Sequence, residues 1–534
     1  MKPQVSIGNS PLFKHLTNEQ GRAAISSAKT VQVKAPAGSG KTSGVMIPYA
    51  CARPRAKGLY MVFGKSVQEE ANKKLVSLGV NTRATTQHAL AYPSFGRSYQ
   101  NAGKLGNSLK PALTSELLGC NFPVAAAINE TLTNFMSSAD KKISEDHLPD
   151  PEVRKIMATQ SGVVMDGAQK LWARMTDIND RDAKITHDTY LKLWSMTDPR
   201  LDCDFILFDE CQDANPLSVH LVNNQTHASR VYVGDPHQSI YGFRGAKNLM
   251  SSLEVEERHV LTRSFRFTPA IGVIAQTFLA HWKNEKDPLI GCGRPFSERK
   301  AFDDHGRARP IQTAYLARTV AGLIAKGFEL QQKGERIEWV KGLNNYRVNS
   351  ILEAHKLFTG DLSGISDPTL KMMPSWYALE EYVEASGDGE AGALFKLVSK
   401  YKNEIPNMVD LLRKTEASQS SEEPAKFVLT TAHQAKGLEW DYVKLCPDFY
   451  TFKDRDGLWQ DPRSLEEQEI NLMYVALTRA MYGIAPTPEM VQWFQHQAAT
   501  KQFFQPKQTQ EKVTQKLILP NEFESVLSSS PRAA

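Results

Sequence analysis

Residues 205–216 read FILFDECQDANP, an apolar, β-prone run that ends in Asp209, Glu210, Gln212 and Asp213 and then in an Asx-Pro turn. Such a run reads as a central strand of a parallel sheet, and open α/β sheets bind ligands at the carboxyl ends of their strands. Adjacent carboxylates there can hold a hard divalent cation and position a water; the alternative is a solvated acidic loop behind a core strand. A second stretch, APAGSGKT at 35–42, follows the strand-like TVQVK and precedes residues that can start a helix. Its glycines let backbone N–H groups approach phosphates, Lys41 can reach β/γ oxygens, and Thr42 can ligate magnesium. Ala35 stands where the general pattern has its first glycine, and the alternative is a Gly-rich turn that happens to precede Lys-Thr. Phosphoryl transfer is catalysed mainly by positioning and charge neutralisation. A phosphate loop therefore needs a strand-end carboxylate for the metal and another for the attacking water, which Asp209 and Glu210 supply. Cationic groups must also reach the γ-phosphate, and VGDPHQSIYGFRGA, LTRSFRF and NLMYVALTRA offer them.

These residues need a scaffold that presents strand ends. Short apolar runs recur along the chain, each followed by a helical or polar segment: TVQVKA, GLYMVF, DFILFDE, SRVYVGD, RHVLTRSF, IQTAYLART, KFVLTTAH and YVKLC. This is the α/β signature of crossover units building parallel sheets. Strands near 30–64 and 205–235 make one set, and those near 260–318 and 427–446 make another. Helix-type spacing over 95–200 and 330–415 implies a helical subdomain inserted in each. Residues 384–392 and 415–426 have loop or linker composition, and the last 30 or so read as a frayed tail.

The 534 residues allow roughly three or four domains. With 23% charged and 41% hydrophobic residues the composition is that of an ordinary soluble protein, and a net charge of +5 permits nucleic acid as a partner without demanding it. The six cysteines lie far apart with no C-x-x-C pair, which argues against a zinc site or disulfide framework and fits a reducing compartment. MKPQVSIGNSPLFKH lacks an apolar signal core, and no stretch approaches the roughly 18 apolar residues of a membrane span. The expectation is a soluble protein of the cytoplasm, or of the nucleus in a eukaryote, with no membrane partner.

In order, APAGSGKT, FDECQD, VGDPHQSIYGFRGA, LTRSFR, TAHQAKGLEWDYV and EINLMYVALTRA resemble the motifs of superfamily 1 helicases of the UvrD/Rep type. LYMVFGKSVQEEA, GRSYQNAGKLG and THDTYLKLWSMTDPRLDCDFILFDECQD look most like the helicase core of F-box DNA helicases. No F-box is expected, because the phosphate loop begins at residue 35. The resemblance implies two RecA-like P-loop domains with ATP in the cleft between them: 1–94 with 200–258, and 259–329 with 421–500. Helical segments 95–199 and 330–420 would be the inserts, the second one short, and 501–534 the tail.

The resemblance further implies that Ala37, Gly38, Ser39, Gly40, Lys41, Thr42 and Ser43 cradle ATP, with Mg2+ on Thr42 and Asp209. Gln20 would read the adenine, the alternative being a capping or surface glutamine, and Phe265 would stack on it, the alternative being a core aromatic. Gln238, Arg266 and Arg479 would join Lys41 and Glu210 at the γ-phosphate, with surface salt bridges as the alternative for the arginines. Gly437 and Glu439 would hold the ribose or the γ-phosphate environment. Phe63, His88, Tyr241, Phe243, Arg244 and His433 would line a track for single-stranded DNA, which needs charge plus aromatic faces. Departures from the family pattern at Gly64, Gln87, Ala89, Val320 and Met481 fall on the nucleic-acid contacts and leave the ATP chemistry intact.

The activity implied is ATP-driven 3′-to-5′ translocation and unwinding by a monomer on single-stranded DNA or tailed duplex, in repair, recombination or replication. Two alternatives stand beside it. One is an ATP-regulated nucleic-acid sensor that licenses a partner such as a nuclease, and the other is a translocase that strips recombinase filaments.

Overall fold

The computed structural model describes residues 11–106, 109–150, 157–242, 248–300, 310–386, 388–418, 425–454 and 456–500. Phe243, Arg244 and the 501–534 tail lie outside the described residues. The chain divides into two compact units. The first comprises Met1–Ala35, Lys41–Leu261 and Lys356–Phe395; the second comprises Pro36–Gly40, Thr262–His355 and Lys396–Ala534.

The first unit is built on β1 (Thr30–Lys34), β2 (Gly58–Met61), β3 (Thr82–Thr85), β4 (Phe205–Phe208), β5 (Ser229–Gly234) and β6 (Glu257–Val260), in the order β3-β2-β4-β5-β1-β6. Every pairing is parallel. β2 and β4, GLYM and FILF, are apolar and buried throughout because both faces are covered. Phe205 and Leu207 enter one core with Val31, Val33 and Val231, while Ile206 and Phe208 face the other way. That second core runs without a break into the helical segment, taking in Val124, Ile128, Leu132, Val164 and Leu171. The first helical segment therefore shares its core with the sheet.

RHVLTRSF does not act as one strand of the second set. Glu257–Val260 joins the first sheet beside β1, and the chain then passes to β7 (Arg263–Ser264), which pairs with β8 (Ile290–Gly291). An edge position suits Glu257, Arg258 and His259, since charged and polar side chains guard the unpaired backbone edge of such a strand against pairing with another chain.

The second unit carries β9 (Thr313–Ala317), β10 (Ile337–Trp339), β11 (Phe427–Thr431), β12 (Trp440–Leu445) and β13 (Ala480–Ala485), again all parallel, in the order β10-β11-β9-β12-β13. β10 lies inside the stretch read from sequence as an insert. The middle of that stretch, Lys356–Phe395, groups with the first unit. There Tyr382, on helix Trp376–Ser386, meets Phe122 edge-on with centroids 5.0 Å apart, and Trp376 stacks on Phe395 at 4.9 Å.

Candidate functional site

In the first unit the carboxyl ends of β1, β4 and β5 carry a connected polar network. Lys41 opens a π-helical turn, Lys41–Met46, which tightens into an α-helix at Ile47–Cys51. Its Nζ lies 2.7 Å from Glu210 Oε2. Burial works against the ammonium charge, but Glu210, Asp209 and Asp235 outweigh it and hold the Lys41 pKa above the ordinary lysine value. Glu210 sits in the left-handed region at φ 48°, a conformation that costs a non-glycine residue on the order of 1–3 kcal/mol and that collects at functional sites. Its N–H donates to Asp209 Oδ1 at 2.9 Å. Burial first, and the Glu210 charge second, push the Asp209 pKa up to about 6 against the pull of Lys41.

Gln212, fully buried, ties this corner together. Its Nε2 donates to Glu210 Oε2 at 2.7 Å, and its Oε1 accepts from Asp235 N at 3.0 Å. Gly234 makes room for it: a Cβ there would stand 2.3 Å from Gln212 Oε1. Gln238 donates through Nε2 to Asp235 Oδ2 at 2.6 Å, so the network reaches the residue that resemblance places at the γ-phosphate. Tyr60, on β2 and fully buried, donates its hydroxyl to Asp209 Oδ2 at 2.6 Å.

Gln20 is buried and forms a capping box with Thr17, its Oε1 accepting from Thr17 N at 3.0 Å. The capping alternative is thus realised by this side chain. Its Nε2 packs over Gly44, where a Cβ would approach it to 2.3 Å. Gly44 therefore brings Gln20 against the turn that follows Lys41, Thr42 and Ser43.

Along the same unit, Phe63 is 51% exposed and stacks on Phe208 at 6.1 Å, while Tyr241 is half-buried. His88 pairs through Nε2 with Asp188 Oδ1 at 3.0 Å and stands edge-on to His187 and Tyr190. Gln87, by contrast, is buried and accepts from Ser218 Oγ at 2.7 Å. Its departure from the family pattern is thus a core contact.

In the second unit, Pro36–Gly40 lies against the segment that follows β7. Ala37 and Ser39 are buried, and Gly38 at φ 72° accepts through its carbonyl from Phe265 N at 2.8 Å. A Cβ on Gly38 would meet Arg266 Cβ at 2.5 Å and Ser264 Oγ at 2.6 Å. Gly40 also has positive φ, 76°. The Phe265 ring is 48% exposed rather than part of a core. Arg266 Nε donates to Glu439 Oε2 at 2.8 Å, which brings together two residues singled out separately in the sequence. Gly437, at φ 87°, forms the turn before Glu439, and His433 is half-buried. Arg479 is buried, and its guanidinium donates to the Val475 and Leu438 carbonyls and to Thr478 Oγ1.

Tyr60, Asp188 and Asp235 carry contacts that the motif reading did not assign. Asp235 was legible in VGDPHQ, whereas Tyr60 looks like an ordinary core residue and Asp188 lies far from His88 in sequence. Among the described residues no three His, Cys, Asp or Glu side chains form a metal cage. The donors Thr42 and Asp209 are hard oxygens, and Mg2+ characteristically takes one or two carboxylates plus substrate phosphates and water. The residues therefore fit Mg2+ bound together with a nucleotide. No helix among the described residues is long and apolar enough to cross a membrane.

Parallel sheets, a glycine-rich turn after β1 and a carboxylate pair after β4 define the RecA-like P-loop fold. Residues 169–254 match the UvrD/REP helicase N-terminal domain, and residues 362–482 match the UvrD-like helicase C-terminal domain. The chain is 31% identical over 500 residues to F-box DNA helicase 1 of Gallus gallus, covering 87% of this chain and 48% of that protein. It is 30% identical over 514 residues to F-box DNA helicase protein 1 of Schizosaccharomyces pombe, covering 88% and 57%. ATP-dependent DNA helicase UvrD2 of Mycobacterium tuberculosis is 23% identical over 578 residues, covering 90% and 79%. The chain carries a superfamily 1 helicase core of the UvrD/REP type. It spans about half the length of the F-box relatives it matches.

Proposed function

We propose that this protein is an ATP-dependent DNA helicase that translocates 3′ to 5′ on single-stranded DNA, as a monomer in the cytoplasm or nucleus, in repair, recombination or replication. The observation that carries the reading is the network Lys41, Glu210, Asp209, Gln212, Asp235 and Gln238 at adjacent strand ends.

In this reading Ala37 to Ser43 cradle the phosphates, Gln20 and Phe265 flank the adenine, and Gly437 with Glu439 shape the surroundings of the ribose. Mg2+ on Thr42 and Asp209, with phosphate oxygens, would supply charge neutralisation. Phosphate oxygens compete with Glu210 for Lys41, so arrival of the triphosphate frees Glu210 to orient the attacking water. Gln238, Arg266 and Arg479 sense the γ-phosphate, so its loss changes what these side chains hold and couples hydrolysis to movement. Phe63, Tyr241, Phe243 and Arg244, with His88 and His433, offer the aromatic and charged faces that accept any base.

The test is the ATPase rate without nucleic acid, with single-stranded DNA and with single-stranded RNA across a salt series, followed by unwinding of 3′-tailed and 5′-tailed duplexes. DNA stimulation that weakens as salt rises is expected, with unwinding of the 3′-tailed substrate. Lys41→Ala should abolish both activities, and unwinding retained in that variant would refute the phosphate site.

A further inference from the structure

The parallel register of β2 beside β4 pairs Tyr60 with Leu207 and Met61 with Phe208, and Asp209 N continues the ladder by donating to Met61 O at 3.1 Å. Side chains alternate along a strand. Asp209 therefore falls on the face of Phe205 and Leu207, which is also the face of Tyr60. The Tyr60 ring is wedged in that core with no exposure, so its hydroxyl has a set position. That hydroxyl donates to Asp209 Oδ2 at 2.6 Å. The second carboxylate oxygen, Oδ1, accepts from Glu210 N at 2.9 Å.

We infer that Tyr60 is a positioning residue for the divalent cation: its buried hydroxyl, donating to Asp209 Oδ2, fixes the orientation of the carboxylate that would hold Mg2+ together with Thr42. The inference rests on the nucleotide-site reading above and adds a third residue, from a different strand, to it. Without the hydroxyl, Asp209 is oriented by the Glu210 N–H alone. The cation must then orient that carboxylate itself when it binds.

The experiment is a Mg2+ titration of the affinity for a fluorescent ADP, on the wild-type chain and on Tyr60→Phe, with parallel measurements in EDTA. Direct Mn2+ binding followed by electron paramagnetic resonance gives a readout independent of turnover. Phenylalanine keeps the packed ring and removes only the hydroxyl. Tyr60→Phe should need about tenfold more Mg2+ or Mn2+ for half-maximal effect, the scale of one hydrogen bond to a charged group, with ADP affinity in EDTA unchanged. The loss should shrink when Tyr60→Phe is combined with Asp209→Asn, since both changes act on one contact. Wild-type cation dependence in Tyr60→Phe, or an equal loss of ADP affinity with and without cation, would overturn the proposal alone. A wild-type chain that binds no nucleotide under any condition would overturn the nucleotide-site reading and this proposal with it.

Discussion

Replacing Glu210 by glutamine should move two measurable quantities in opposite directions. The carboxylate is 2.7 Å from Lys41 Nζ, with the two side chains 35% and 14% exposed. A charged hydrogen bond contributes about 1.5–3 kcal/mol, and screening at the half-open Glu210 side reduces this to about 1 kcal/mol. That is the energy with which Glu210 competes with a phosphate for Lys41. Glu210→Gln should therefore bind ATP about fivefold more tightly, since 1.4 kcal/mol is a factor of ten. Gln212 Nε2 can still donate to the new carboxamide oxygen, so the corner should keep its shape. Turnover should fall by roughly 10²–10⁴-fold, the range for loss of a positioned acid–base group. Equilibrium titration with a fluorescent ATP analogue and steady-state ATPase on the same preparation read the two arms. Turnover within tenfold of wild type would remove Glu210 from the hydrolytic machinery. ATP binding weakened in step with turnover would make it a structural strut.

Gly38→Ala should weaken nucleotide binding at least tenfold, because φ 72° and the approach of Arg266 Cβ and Ser264 Oγ force the loop apex to move; fluorescent-ATP titration checks it. Tyr382→Ala removes a buried ring from against Phe122 and a hydroxyl that donates to Asp388 at 2.8 Å, which should destabilise the first unit by about 3–5 kcal/mol in urea unfolding. Lys192 is buried between the Phe135 ring and the Ser138 carbonyl, and burial pulls its pKa down to about 8 despite the attraction of Asp140. Since the folded pKa lies below the unfolded value, Lys192 destabilises the fold fully below about pH 8 and ceases to do so by roughly pH 10.5. Wild-type stability should therefore gain a rising component across that window, and Lys192→Met should lose it and be the more stable at pH 7.

The central strands were legible because parallel strands buried on both faces must be continuously apolar, as in FILF and GLYM. Thr82–Thr85 and Ile337–Trp339 were not, because TRAT and IEW are short, partly polar and become strands only by pairing with β2 and β11. RHVLTRSF reads as one strand, and only the sheet registers divide it between β1 and β8. Likewise the helical character of residues 356–395 was visible, while their packing on helix Phe122–Ser137 depended on which apolar face lay within reach.

Sequence by itself determined which side chains stand at the strand ends: glycines where φ is positive, a lysine in the turn after β1, and adjacent carboxylates after an apolar run. Those are local requirements, met by residues within a few positions of one another. Which residues surround them was decided by tertiary structure. Tyr60 reaches Asp209 across a strand register, Asp188 reaches His88 from an inserted helix, and Glu439 reaches Arg266 across 173 positions of chain. A hydrogen bond depends on distance in space, and for residues so far apart in the chain only the packed sheets and helices set that distance.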